Sequence, residues 1–174
     1  MPLQTARLIL DVWQPSDWTA FRPIAQDPEV MRYITGGRPW TDEQIRGFVD
    51  KQIRAYAERG FCRWRLLDAA SREFMGFCGV GYWLHALEIG WWLARPYWGR
   101  GFATEAAQCA LRDVFERVGL EHVISVAMVG NTASRRVMEK LGMRWQREFE
   151  SDGSALVQYE IQKSAFAAHA CFDV

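Results

Sequence analysis

The chain lacks the features that mark several large classes of protein. Its 174 residues carry no excess charge, with 21 Lys and Arg against 21 Asp and Glu. A nucleic-acid or anionic-membrane surface is normally announced by a basic imbalance, so neither partner is expected, although a local basic patch is compatible with a neutral total. Cysteine is sparse: Cys62, Cys78, Cys109 and Cys171 lie far apart, with no C-x-x-C pair and no histidine at ligand spacing. No metal is therefore expected, redox chemistry is not indicated, and the cysteines read as reduced, small hydrophobes. His85, His122 and His169 have no partner at catalytic or metal spacing. No apolar run is long enough to span a bilayer, and MPLQTARLIL has neither a basic leader followed by a long apolar stretch nor a cleavage site. The cytoplasm is the expected compartment. Repeats and linkers are missing too, and with 49% apolar residues the chain is expected to bury one core, as a single domain over 1–174 with its core at about 5–163 and a tail at 164–174.

What is present alternates between strand and helix patterns. A strand is expected over Arg7 to Trp13, then a helix capped by Ser16 and carrying Trp18, Phe21, Ile24 and Ala25. Thr41 and Gln44 fit a capping box for a second helix with an Ile45, Phe48, Val49, Ile53, Tyr56, Ala57 stripe, stopped by Gly60. Strand-like runs follow at Phe61 to Leu67, Phe74 to Tyr82 and Leu87 to Leu93. After a loop at Ala94 to Arg100 comes the clearest helix, whose inward face includes Ala103, Ala106, Ala107 and Ala110, small enough to lie close on a sheet. Val123 to Val129 reads as a buried strand, Thr132 to Leu141 as a short helix, and Met143 to Glu150 and Leu156 to Ile161 as a final strand pair. This order predicts an α/β (α+β) fold, a mixed sheet with helices on both faces. The tail SAFAAHACFDV is open between a short packed helix and a dimer contact, so monomer and homodimer both stand.

The segment ARPYWGRGFATEAA joins strand to helix through Gly99 and Gly101. Two glycines let bare backbone N–H groups approach an anion, and the helix start adds further unpaired donors and the positive end of its dipole. A phosphate or pyrophosphate is the natural guest, with a simple tight turn as the alternative. A nucleotide-hydrolysing loop would need G-x-x-x-x-G-K-[ST], and no Lys follows either glycine; a dinucleotide fingerprint would need a third glycine or alanine where Thr104 stands.

The stretch LEIGWWLARPYWGRGFATEAA followed by GNTASRRVMEKLGM resembles the GCN5-related N-acetyltransferase (GNAT) superfamily, closest to its RimJ/RimL-type branch, and the likeness runs from TARLIL to about Tyr159. The resemblance implies a GNAT fold, a mostly antiparallel sheet of about six or seven strands with a splay between two central ones. It implies acetyl-CoA as cosubstrate and transfer of an acetyl group to a primary amine, a protein N-terminal α-amine among the candidates. A polyamine, amino acid or antibiotic amine, a succinyl donor, or a non-catalytic acyl-CoA-binding module are the alternatives. Carried onto this chain, the family's coenzyme-binding backbone falls on Gly99, Arg100, Gly101, Phe102, Ala103 and Thr104, with Trp98 in a place usually held by Gln or Arg. Leu93 would offer a backbone N–H to the thioester carbonyl. Asn131 and Arg136 would touch the coenzyme, or act as a helix cap and a surface charge.

Transfer needs an uncharged amine, a stabilised oxyanion and a proton for the leaving thiolate. Alternation puts Glu88, Gly90 and Trp92 on one strand face. The family draws the amine proton with an acid on this strand, which matches Glu88, and Trp92 is the substrate-side candidate because it shares that face. An ion-paired strand carboxylate is the competing role for Glu88. Where many relatives place a proton-donating Tyr this chain has Met138, so Ser134 is the implied substitute. Deprotonating a lysine-like amine at pH 7 costs about 4.6 kcal/mol and an α-amine only about 1.4, so a single carboxylate suits the α-amine slightly better.

Overall fold

The computed structural model describes residues 2–170, with side chains to 166; Met1, the last four residues including Cys171, and the side chain of His169 lie outside it. The apolar runs pair into one sheet. Its strands are β1 (Leu3–Gln4), β2 (Leu8–Asp11), β3 (Arg63–Asp68), β4 (Phe74–Trp83), β5 (Ala86–Leu93), β6 (His122–Met128), β7 (Arg144–Ser151) and β8 (Ser154–Gln162). They lie in the order β1-β2-β3-β4-β5-β6-β8-β7. Every neighbouring pair is antiparallel except β5 and β6, which run parallel. The eighth strand beyond the expected number is β1, two residues pairing with Leu10 and Ile9 and too short to leave a periodic pattern.

The helices are α1 (Trp18–Ala25), α2 (Pro28–Met31), α3 (Asp42–Arg59), α4 (Phe102–Asp113, continued by a wide π-turn to Val118), α5 (Thr132–Lys140) and α6 (Lys163–Ala170). On one face of the sheet Phe77 and Trp92 pack against Phe21 of α1 and Phe48 of α3, with ring centroids 5.0 to 6.4 Å apart. Cys78, one residue on and therefore pointing the other way, lies beside Cys109 of α4. Ala106, Ala107 and Ala110 are fully buried, so α4 sits close on that second face. Aromatic rings and small residues thus divide the two layers.

Local chemistry explains the helix limits. Thr41 Oγ1 accepts from the Gln44 amide at 3.2 Å while Gln44 Oε1 accepts from the Thr41 amide at 2.8 Å, the expected box, and Gly60 ends α3 in the left-handed region at φ 75°. Thr41→Ala should cost about 1 kcal/mol in denaturant unfolding, because the Gln44 amide loses its acceptor. Ser16 does not cap α1. The chain enters through a 3-10 turn at Pro15–Asp17, where Asp17 accepts from the Gln14 amide at 2.6 Å and pairs with Arg65 at 2.9 Å, so the acid, able to serve a turn and an ion pair at once, displaces the hydroxyl. Ala57 turns out exposed. Within the described residues the tail begins as α6, and Phe166 packs on Phe115 with centroids 5.4 Å apart.

Candidate active site

β5 and β6 share a single rung, Glu88 opposite Ile124, and then part. Hydrogen-bond phase shows what the parting exposes. Ala94 donates to the Met75 carbonyl at 2.9 Å, so along β5 the backbone groups of Gly90 and Trp92 are directed at β4, and those of Ile89, Trp91 and Leu93 at β6. Val129 donates to Ala155 at 3.0 Å, which directs Ile124, Val126 and Met128 at β5. Where the next rung would join Ile89 to Val126, two side chains stand in. The Ser125 hydroxyl donates to the Ile89 carbonyl at 3.0 Å, and the Val126 amide bonds the Glu88 carboxylate. Further along, the Trp98 indole N–H takes the Leu93 carbonyl at 2.7 Å. Trp91 and the Leu93 N–H are left facing the gap.

A cavity of ≈ 590 Å³ occupies this gap and continues to the start of α4. Its walls include Leu93, Gly99, Gly101, Phe102, Ala103 and Thr104 from the strand-loop-helix segment, Asn131 just before α5, and Ser134 and Arg136 within it. Gly99 and Gly101 have φ of 72° and 81°, a backbone that side-chain-bearing residues rarely adopt, and a Cβ on Gly99 would meet nothing within 4 Å. Gly101 is the N-cap of α4 and supplies no side-chain cap, so the first-turn amides are left for another acceptor. This fits an anion held by backbone donors. The Arg100 side chain is absent from the cavity wall, its guanidinium lying 4.9 Å over the Phe102 ring. Successive residues in a tight turn point apart, and glycine spacing alone does not say which way the intervening side chain goes.

Glu88 borders the same cavity and is buried. A Cβ built on Gly90 would lie 3.5 Å from both Glu88 carboxylate oxygens, so the two share a face as alternation requires. Arg63 pairs with the Glu88 carboxylate. Burial pushes the Glu88 carboxyl above its ordinary value, while the Arg63 charge and hydrogen bond and the Val126 amide pull it back. The ion-paired strand carboxylate considered from sequence is therefore visible, and the same carboxylate borders the cavity. Trp92 shares the face and reaches the wall, yet its ring is wedged among Phe21, Trp40, Phe48 and Phe77. Asn131 Oδ1 accepts from the Ser134 amide at 3.1 Å, so it caps α5 while lining the cavity. Met138, which the resemblance sets at the position of the proton-donating Tyr, is fully buried.

Several wall residues carried no sequence warning. Glu29 and Val30 come from α2, Arg32 and Tyr33 from the turn after it, and Trp91 and Tyr97 join them. Ser125 did carry one: a lone hydroxyl inside the apolar run Val123 to Ala127 needs a partner when buried. Among the described residues no group of His, Cys, Asp and Glu could hold a metal ion.

A sheet split beside a two-glycine turn at a helix start, with a buried carboxylate at the fork, makes this a splayed-sheet scaffold. The chain belongs to the GNAT acetyltransferase family: residues 7–144 match the acetyltransferase (GNAT) domain. It is 33% identical over 150 residues to the uncharacterized N-acetyltransferase YnaD of Bacillus subtilis (strain 168), covering 86% of each chain. Its structure superposes with a TM-score of 0.82 on a GNAT-family acetyltransferase from Bacillus anthracis, at 28% identity over 94% of this chain and 99% of that one. RimL, a ribosomal alpha-N-protein acetyltransferase in complex with coenzyme A, shares the fold at a TM-score of 0.78 and 16% identity, covering 93% and 98% of the two chains. No described helix is long and apolar enough to cross a membrane.

Proposed function

We propose that this acetyltransferase takes its acyl group from acetyl-CoA and passes it to a primary amine of low pKa, an α-amine best of all. The observation that carries the reading is the continuity of one cavity from the segment Gly99 to Thr104, past the Trp91 backbone and the Leu93 N–H, to the Glu88 carboxylate. The cradle amides would hold the diphosphate, the strand edges the amide-bearing arm, and the Leu93 N–H the thioester carbonyl. Acetyl-CoA supplies the activated acyl group; the remaining chemistry belongs to the chain. Glu88, raised by burial, is a stronger base than an exposed glutamate and takes the amine proton directly or through water. Ser134 stands on α5 with its hydroxyl as the proton donor to the departing thiolate, in place of the phenol that Met138 lacks. Asn131 and Arg136 complete the coenzyme side, and Trp92 backs the amine side.

Acetyl-CoA at about 100 times its Kd should stabilise the fold by about 2.7 kcal/mol, a rise in Tm of about 5–10 °C for a chain of this size, whereas ATP and NAD should not. Thiol release over a panel of α-amines, polyamines and lysine peptides then identifies the acceptor. Stabilisation without turnover on any amine would favour a binding module over an enzyme.

A further inference from the structure

The sequence motif TARLIL lies far from the cavity in the chain, and nothing in the proposed chemistry uses it. The structure brings it to the back of the anion cradle. Arg7 Nη1 donates to the Arg100 carbonyl at 3.1 Å, and its Nε donates to Glu105 Oε2 at 2.6 Å. Thr5 Oγ1 and the Arg7 amide converge on Glu105 Oε1 at 2.6 and 3.2 Å. The guanidinium lies 4.5 Å over the Phe102 ring, and a Cβ added to Gly101 would come within 3.5 Å of its Nη2. Arg7 is absent from the cavity wall.

Peptide planarity turns this contact into an orienting device. The Arg100 carbonyl and the Gly101 N–H belong to one peptide unit, and in a trans peptide they point in opposite directions. No peptide bond in the described chain is cis. Holding that carbonyl outward with a charged donor therefore aims the Gly101 N–H inward and polarises it, since a charge-assisted hydrogen bond is about twice as strong as a neutral one. Glu105, one turn into α4, fixes the guanidinium in place and is held well ionised, its carboxyl lowered by Thr5 and Arg7 against the opposing effect of burial.

We infer that Arg7, locked by Glu105, is a positioning residue for coenzyme binding: it sets the direction of a cradle amide from outside the cavity. The inference rests on the acetyl-CoA reading above. Its test begins with isothermal titration of the wild-type protein with acetyl-CoA; if the wild type does not bind, the coenzyme reading fails before the brace is reached. With binding established, Arg7→Ala should raise the Kd and KM for acetyl-CoA about tenfold, with kcat at saturating coenzyme within about twofold of wild type and the KM for amine unmoved. Glu105→Gln, which frees the guanidinium without removing it, should move KM in the same direction by less, and Arg7→Lys should fall between, keeping charge but losing the fork geometry. The loss in Arg7→Ala should persist in about 0.5 M salt; a loss that vanishes there would mean that Arg7 acts as a distant charge and would overturn the orienting role. An unchanged KM for acetyl-CoA with a lowered Tm would overturn it as well, leaving Arg7 a purely structural tie. Should Arg7→Ala fail to fold, the Lys and Gln variants carry the same comparison.

Discussion

Glu88→Gln is expected to lower kcat by about 100-fold or more with little change in the KM for acetyl-CoA, because a positioned base contributes factors of that order and the cradle lies elsewhere. If Glu88 is the base, kcat/KM in the parent protein should fall on the acid side as it takes up its proton, with burial setting that limb above the ordinary glutamate range. The sign follows from the required form: the base must be ionised, a raised pKa means that ionisation is completed only at higher pH, and so activity is lost sooner on acidification than with an exposed glutamate. The Gln variant should lose this limb and keep only the dependence due to the amine. Assays belong well below the Tm, since Arg63 keeps an acceptor but loses its counter-charge. A variant with undiminished kcat would reduce Glu88 to the fork's ion pair and leave the amine proton to another group.

The largest effect on stability is expected at Gly76→Ala. Gly76 has φ 142°, and a Cβ there would fall 2.0 Å from the Trp92 carbonyl oxygen and 2.9 Å from the Leu93 Cα. These are backbone atoms of the neighbouring strand, unable to move without breaking the β4–β5 ladder that carries the site. The cost should exceed about 4 kcal/mol, against about 5–15 for a whole domain, so the variant should melt tens of degrees lower or fail to fold by circular dichroism. The same substitution at Gly47 should act in reverse. That glycine lies inside α3 with nothing within 4 Å of a built Cβ, so alanine there should stabilise by about 0.5–1 kcal/mol.

How much of this was legible in the sequence depends on how far apart the cooperating groups lie. The Thr41–Gln44 box, the Gly60 stop and the helix start at Gly101 are decided within a few residues, and their patterns carried over directly. The shared face of Glu88 and Gly90 followed from pleating alone. The role of Ser125 needed its partner Ile89, 36 residues away, and that of Arg7 needed Glu105 at a separation of 98. No local pattern encodes such pairs. α2 escaped because four residues make one turn, too few for a period to show, and yet it delivers a wall of the cavity. The resemblance assigns Arg100 to the coenzyme-binding backbone and says nothing of where its side chain lies, which the contact with the Phe102 ring decides.

The single rung between Glu88 and Ile124 has a mechanical consequence. The sheet divides into two plates, one of five strands and one of three, joined at a single rung, with α4 packed on the five-strand plate and reaching α5 beside the other. A long cosubstrate laid along the seam would act as a splint, supplying the missing cross-links itself, so that stiffness in the middle of the molecule comes from its cargo as much as from its own backbone.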